Sequence, residues 1–218
     1  MLNHLLCISM IMSTVIVGMD HHEQALIDAI KKNSLQESEE LLKKGTNANC
    51  FAKYHRHILE KAKTVAAAKL LFKYGTRISD GYCLLHKIMK QKYEPEIIPL
   101  FIEHGANPRS RQGNDRNNTP LHTLIIWHCP LLEMKQPEPL IKKATYLLDA
   151  APDLLHVANK EGITPRAFAE GRRNLISLWR ENKALKGEWA EYDKYLTVYD
   201  ALLRFFAQYE QALLNKSN

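Results

Sequence analysis

The sequence predicts an all-α protein built from repeated helix pairs. One short phrase recurs, in which an apolar pair is followed, a few positions later, by a glycine and a small residue. Its three glycines, Gly45, Gly75 and Gly105, are spaced 30 residues apart. A second phrase, clearest at Thr119-Pro120-Leu121-His122, opens the next segment. A period of this size is typical of repeat proteins, whose helix pairs bury their apolar faces only by stacking on neighbours.

The copies of the two phrases set the order of the predicted elements along the chain. The glycine phrase, which closes a second helix, stands at Leu41–Thr46, Leu70–Thr76 and Phe101–Ala106, with a degraded copy at Leu147–Pro152. The opening phrase, which begins a first helix, is echoed at Cys83–His86 and Thr164–Ala167, and more weakly around Leu26 and Leu59.

This pattern resembles the ankyrin repeat, whose consensus opens on Thr-Pro-Leu-His, continues through a helix pair and closes on Leu-Leu-x-x-Gly-Ala. The resemblance covers residues 24–182 and is most specific at Gly105–Pro108, Thr119–His122 and Asn159–Pro165. It implies an ankyrin-repeat solenoid of about five helix pairs with a C-terminal capping helix. The implied domains are a signal peptide over 1–18, repeats over 19–183 and an aromatic-rich helix over 184–218.

The ends of the predicted helices carry signals of their own. Thr119 and Thr164 can each cap a helix with the hydroxyl, and the proline after each has no N–H to leave unpaired. The stretch Ser34–Glu37 matches a capping box, which predicts reciprocal hydrogen bonds at a helix start. Each glycine of the repeated phrase is predicted to end a helix with φ > 0.

The fourth repeat is longer than the others because Cys129–Pro139 is inserted between its two helices. This stretch contains three prolines, which prevent a continuous helix. The insertion must leave the stack, either as an excursion without function or as part of a binding surface, because loops on rigid scaffolds often carry function. Asn117 stands where ankyrin repeats usually have glycine.

From Gly187 onwards the repeat pattern gives way to a different predicted helix. Apolar and aromatic residues follow helical spacing on one face, at Trp189, Tyr192, Leu196, Tyr199, Leu203 and Phe206, widened by Tyr195, Leu202 and Tyr209. Two interpretations stay open. The helix covers the exposed end of the last repeat, or it offers an aromatic stripe to a partner.

The N-terminal segment differs in composition from the rest. Residues 5–17 are uncharged and mostly apolar, a length that is too short to cross a bilayer as a helix but suits the core of a signal peptide. We expect cleavage after Gly18, which makes the protein secreted or periplasmic and leaves no transmembrane segment in the mature chain. The alternative is a buried N-terminal helix that caps the repeats, and the protein is then cytoplasmic.

Composition and motifs argue against catalysis. Hydrophobic residues make up 45% of the chain and charged residues 25%, as in ordinary globular proteins, and a net charge of +6 is too modest to predict nucleic-acid binding. The sequence holds no nucleophile motif, no glycine-rich phosphate loop and no metal-ligand spacing. The resemblance implies a structural, hydrogen-bonding role for His86 and His122. We therefore expect no enzyme activity, no cofactor and no metal.

The resemblance implies a protein-binding module whose hairpin tips and first helices grip a folded partner. The tips are predicted to present a basic surface, which favours an acidic partner, formed by Lys53, His55, Arg56, Arg109, Arg111 and Arg116. Surface solubility is the alternative role for these side chains. Alternative functions for the whole protein are an exported effector directed at host proteins, or a small scaffold or inhibitor protein.

Overall fold

The computed structural model describes residues 21–52, 56–79, 83–113, 116–127, 137–184 and 190–217. It contains two compact units, Met1–Thr76 and Arg77–Asn218. The described residues are all-α apart from one two-stranded hairpin, which confirms the predicted class. The predicted signal peptide, the tip residues Lys53 and His55, and most of the Cys129–Pro139 insertion lie outside the described residues.

The N-terminal unit holds three described α-helices and the hairpin. Its elements are α1 (His21–Lys32), α2 (Leu35–Lys43), β1 (Phe51–Ala52), β2 (Arg56–His57), a 3-10 helix (Ile58–Glu60) and α3 (Val65–Lys73). The antiparallel strands pair Phe51 with His57 and Ala52 with Arg56. Where the sequence predicts the first helix of the second pair, the chain forms only this 3-10 turn. Little chain is left for a longer helix, because α3 begins directly after Thr64, whose hydroxyl accepts a hydrogen bond from the Ala67 N–H.

The C-terminal unit holds the remaining described helices. Its elements are α4 (Leu84–Met89), α5 (Ile97–Glu103), α6 (Pro120–Trp127), α7 (Glu138–Ala150), a 3-10 helix (Pro152–Leu155), α8 (Pro165–Ala184) and α9 (Ala190–Ser217). The first helices pack on first helices, α4 on α6 and α6 on α8, while the second helices α5 and α7 pack on each other. Each helix thus buries apolar residues against the next pair, as at Leu85, Phe101, Leu121 and Leu148.

Three helices end in the same way, as the sequence predicts. Gly45, Gly75 and Gly105 have φ of +90°, +84° and +95°. At each site the glycine N–H bonds the carbonyl three residues back, and the next N–H bonds the carbonyl five back, as in Ala106 to Phe101 at 2.9 Å. These bonds satisfy the last carbonyls of α2, α3 and α5 and turn the chain into the next segment.

The predicted caps have mixed outcomes. The Thr119 hydroxyl accepts from the His122 N–H at 3.4 Å, and the Thr164 hydroxyl accepts from the Ala167 N–H at 3.2 Å, which confirms both. The predicted capping box at Ser34–Glu37 is wrong, because the Ser34 side chain makes no capping bond. Only two residues link α1 to α2, and the Ser34 N–H already closes α1 by bonding the Ala29 carbonyl at 2.9 Å.

The C-terminal helix α9 packs against α8 and α7 along most of the predicted face. Its fully buried residues are Val198, Tyr199, Leu202 and Phe206, while Leu203 and Tyr209 are half-buried. Three arginines of α8 pair with carboxylates of α9, in the pairs Arg166–Glu210, Arg173–Asp200 and Arg180–Asp193. The described part of this aromatic face is therefore largely covered by α8 and α7 of the same chain. Trp189 lies outside the described residues.

The purified protein is expected to give a far-ultraviolet circular dichroism spectrum dominated by α-helix, because nearly all described elements are helical. Protein starting at Met19 suits the measurement, since it omits the predicted signal peptide. A spectrum dominated by β-sheet would contradict the fold.

Candidate protein-interaction surface

The described tip residues lie in two separate segments. Arg56 belongs to β2 in the N-terminal unit, whereas Arg109, Arg111 and Arg116 belong to the segment that joins α5 to α6 in the C-terminal unit. All three arginines of the second segment are exposed. The structure thus brings these three together on one segment.

Arg109 is held by a carboxylate from the following repeat. Its guanidinium forms a two-pronged pair with Asp153 at the 3-10 helix after α7, with Nε 2.9 Å from one carboxylate oxygen. The guanidinium hydrogen bond lowers the pKa of Asp153 and raises the pKa of Arg109. Both side chains keep about half of their surface exposed, 52% and 50%. The pair ties two repeats together while its outer edge still faces water.

Arg111 and Arg116 also reach the following repeat. Arg111 Nη1 donates to the Ala158 carbonyl at 2.8 Å and to the Asn117 carbonyl at 3.1 Å. Arg116 Nε lies 2.9 Å from a carboxylate oxygen of Glu161. Asn117 has φ of +57°, which is the backbone geometry that explains glycine at this position in ankyrin repeats. The basic tip predicted from sequence is therefore also a set of contacts between repeats.

Sequence reasoning missed the acidic partners of these arginines. Asp153 and Glu161 lie 44 and 45 residues after Arg109 and Arg116. The nearly equal offsets are the available signal, because side chains at matching positions of stacked repeats lie close in space and the Cys129–Pro139 insertion lengthens the repeat between them.

A buried asparagine pair completes the link between these two segments. Asn159 Nδ2 donates to Asn118 Oδ1 at 3.0 Å, and Asn159 Oδ1 accepts the N–H groups of Glu161 and Ile163. The Lys160 N–H donates to the Arg116 carbonyl at 2.8 Å. The amide thus shapes its own turn and bonds the preceding one, which fixes the spacing of adjacent hairpins.

The hairpin of the N-terminal unit is built on a similar turn. Asn47 Oδ1 accepts the N–H of Asn49 at 2.9 Å, as Asn107 Oδ1 accepts the N–H of Arg109 at 2.8 Å. Asn49 Nδ2 then donates to the Gly75 carbonyl, and the Thr76 hydroxyl donates to the Ala48 carbonyl at 2.8 Å. Matching asparagines thus form the same turn before the β1–β2 hairpin and in the segment that joins α5 to α6.

His122 lies at the centre of the contact between α6 and the next hairpin. Its ring is fully buried, and its Nε2 is 2.9 Å from the Ile163 carbonyl. A carbonyl can only accept, so Nε2 carries the hydrogen. The other nitrogen, Nδ1, accepts the Thr119 N–H at 3.3 Å and lies 2.8 Å from the Thr119 hydroxyl. Burial lowers the pKa of His122, and the charge of Arg111 lowers it further.

His86 makes the equivalent contact one repeat earlier. Its Nε2 is 3.0 Å from the Ser110 carbonyl, and its Nδ1 is 2.7 Å from the Thr123 hydroxyl of α6. Burial lowers the pKa of His86 to about 4, assisted by the charges of Lys90 and His122. Both rings are therefore neutral at pH 7, and each joins a first helix to the hairpin that follows it. These bonds have the form that the resemblance implies.

Two exposed apolar features in the C-terminal unit were not singled out from sequence. Trp127, at the end of α6, is 56% exposed, and the Lys90 ammonium lies 4.9 Å from its ring centre. Leu175, Leu178 and Trp179 are exposed on α8 at spacings of three and four, which places them on one helix face. Exposed aromatic and aliphatic side chains of this size are common anchors in protein interfaces.

The described residues offer little chemistry. No three histidine, cysteine, aspartate or glutamate side chains among them stand close enough to hold a metal ion. Burial raises the pKa of the Cys50 thiol to about 12, so this thiol is protonated at neutral pH and is not a nucleophile. Among the described helices, none combines the length and the hydropathy required for a bilayer crossing.

No protein-family model and no curated protein matches this sequence.

Proposed function

We propose that this protein is an ankyrin-type repeat protein that binds another protein and catalyses no reaction. The observation that carries the proposal is one helix-ending turn used three times. The same two backbone bonds follow helices α2, α3 and α5, at glycines with positive φ. Two of the three turns continue into a hairpin opened by the same asparagine bond, at Asn47 and Asn107.

The packing of the C-terminal unit supports a solenoid. First helices stack on first helices and second helices on second helices, and the ring of His86 or His122 bonds the hairpin after each first helix. Helix α9 then covers α8 and α7 and acts as the terminal cap that a repeat array requires. An array of this kind presents an extended surface of hairpins and first helices, which is the part that repeat proteins use to bind partners.

The proposed binding surface comprises Arg109, Arg111 and Arg116, which precede α6, and the exposed Trp127 at the far end of that helix is a separate candidate contact. The side chains of Arg109 and Arg116 keep more than half of their surface exposed, so a partner can still reach them. A partner with acidic side chains fits the exposed outer edges of these guanidinium groups, which have N–H donors beyond those that bind Asp153 and Glu161. Trp127 adds an apolar anchor beside the Lys90 cation.

Affinity capture with matched variants tests the proposal. Immobilised protein starting at Met19 is compared with the double variant Arg109→Ala/Arg111→Ala and with the control Lys43→Ala/Lys44→Ala, which removes two exposed cations from the end of α2. Bound proteins are identified by mass spectrometry. We expect the tip variant to lose a partner that the control retains, and we expect the wild-type complex to weaken with salt because exposed charges are screened.

A second variant separates lost charge from lost structure. Asp153→Asn breaks the same pair as Arg109→Ala but leaves the arginine cation in place. Affinity for the purified partner should fall in Arg109→Ala and hold in Asp153→Asn. Equal losses in both variants would give Arg109 a structural role only. If the affinity changed neither in the tip variants nor with ionic strength, the binding site would lie elsewhere, at the Cys129–Pro139 insertion or on α9.

A further inference from the structure

The two buried histidines of the C-terminal unit differ from ordinary core polar groups in one respect. Each is an ionisable ring that joins successive repeats, His86 through the Ser110 carbonyl and His122 through the Ile163 carbonyl. Both are at most 1% exposed, so water cannot stabilise an added charge without local opening.

The hydrogen bonds of His122 oppose a protonated ring in the closed arrangement. Its Nε2 already carries a hydrogen toward Ile163, so a second proton would have to sit on Nδ1. That nitrogen lies 3.3 Å from the backbone N–H of Thr119, which can only donate, and 2.8 Å from the Thr119 hydroxyl, which would have to turn from donor to acceptor. Two hydrogens would then oppose each other inside a buried site. The N–H would also lose its acceptor, which costs about 1–3 kcal/mol for a buried polar group.

The hydrogen-bond partners of His86 can accommodate a second proton on the ring, but burial and neighbouring positive charges oppose it. On protonation Nδ1 would donate to the Thr123 hydroxyl, which could then donate to the Thr119 carbonyl 3.2 Å away. The charged form would nevertheless be desolvated and would face Lys90 and the second histidine, so its hydrogen bonds do not compensate.

Charged groups on the packed elements do not offset these effects. Two of these groups, Lys90 and Arg111, are cations, and a third, Lys143, is a buried amine. The carboxylates are each already paired with an arginine, at Asp153, Glu161 and Glu170. A proton on either ring therefore adds positive charge to a buried region in which the described carboxylates are committed elsewhere.

We propose that His86 and His122 form an acid-sensitive switch, in which protonation of the two rings releases residues 104–113 and 116–119 from α4 and residues 156–164 from α6. The closed arrangement belongs to neutral pH and the loosened one to acidic pH. Since the segment between α5 and α6 carries Arg109, Arg111 and Arg116, acid would also release a partner bound there. That consequence rests on the proposed function, whereas the switch itself does not.

The direction of the pH effect follows from the shifted pKa values. A freely solvated histidine has a pKa of 6.5, while that of buried His86 is about 4. Between these values the open state binds more protons than the closed state, so the closed state loses stability as pH falls from 6.5 toward 4. If opening frees the ring to water, His86 alone makes opening about 20-fold more frequent at pH 5 than at pH 7.

Amide hydrogen exchange on the isolated protein tests the switch without a partner. The reporter amides are Gln112, which bonds the Asn118 carbonyl, and Asn159, which bonds the Ile163 carbonyl. After correction for intrinsic exchange, their protection in wild type should fall by about 20-fold or more from pH 7 to pH 5. The double variant His86→Gln/His122→Gln, which cannot titrate, should show no such fall. The control His156→Gln alters an exposed ring and should behave like wild type.

Nitrogen-15 spectra of the histidine rings keep the proposal testable if the double variant does not fold. In wild type both rings should show the tautomer with hydrogen on Nε2, and both should titrate below 6.5. The switch is overturned if the rings titrate at or above the ordinary value, if wild-type protection does not change with pH, or if the double variant loses protection as wild type does.

Discussion

Replacing Leu121 by alanine is expected to lower the free energy of unfolding by about 2–5 kcal/mol, the usual cost of removing a buried leucine side chain. Leu121 lies in α6 and is fully buried. Its helix packs on α4, α7 and α8, so the cavity would open between several helices at once. Urea unfolding followed by circular dichroism at 222 nm measures the effect.

The same substitution at an exposed leucine supplies the control. Leu178 lies on α8 in the same compact unit and is 56% exposed. Leu178→Ala should change the free energy of unfolding by no more than about 0.5 kcal/mol, as surface substitutions usually do. A change that small at Leu121 as well would mean that the Thr119–His122 phrase is not packed between helices.

The backbone plan was predictable because it depends on residues with few conformational options. Glycine after a helix and proline at a helix start each restrict the local backbone to one common outcome. Gly45, Gly75 and Gly105 accordingly ended α2, α3 and α5, and Pro120 and Pro165 began α6 and α8. These local signals therefore predicted where those helices begin or end, whereas the first helix predicted for the second pair is only the 3-10 turn Ile58–Glu60.

The capping-box error shows where local signals mislead. Ser34–Glu37 has the right residue types, but the motif needs a serine whose backbone is free to extend. Asn33 adopts φ of +59° to end α1, which leaves Ser34 as part of that ending rather than the beginning of α2. A two-residue link between helices couples the two ends, and the sequence pattern describes each end separately.

The candidate surface was only partly predictable because side-chain pairing depends on distant residues. Sequence placed Arg109, Arg111 and Arg116 on one segment, but not their contacts with Asp153, Ala158 and Glu161. Those partners belong to the following repeat, and exposed charges do not follow the apolar periodicity that locates helices. The resemblance to ankyrin repeats stays a prediction, supported by the repeated turn.

Lys143 is a buried amine whose position could have been read from the sequence. It stands three residues after Leu140 and four before Leu147, which places it inside the apolar stripe of α7. Its side chain is 2% exposed, and its Nζ donates to the Gln91 carbonyl at 3.1 Å. Burial lowers the pKa of Lys143 from 10.5 to about 8, because the ammonium has lost much of its hydration.

Stability should therefore rise with pH in the alkaline range through this one group. Between pH 8 and pH 10.5 the unfolded state keeps the Lys143 proton and the folded state does not, so raising the pH favours folding. From pH 7 to pH 10 the contribution is about 2–3 kcal/mol. Lys143→Met keeps the chain length and removes the titration. The unfolding free energy of wild type minus that of the variant should grow by this amount over that pH range.

The adjacent residue Lys142 is a matched control of opposite sign. It is exposed and paired with Glu96, whose hydrogen bond raises the pKa of Lys142 above 10.5. Its stabilising contribution is complete below pH 10.5 and is lost only as pH rises through that raised pKa. Lys142→Met should thus run parallel to wild type from pH 7 to pH 10 in urea unfolding, while Lys143→Met diverges. If the Lys143→Met curve also ran parallel to wild type, the Lys143 amine would remain protonated in the folded protein at pH 10. The amine would then be hydrated rather than buried between α7 and the segment after α4.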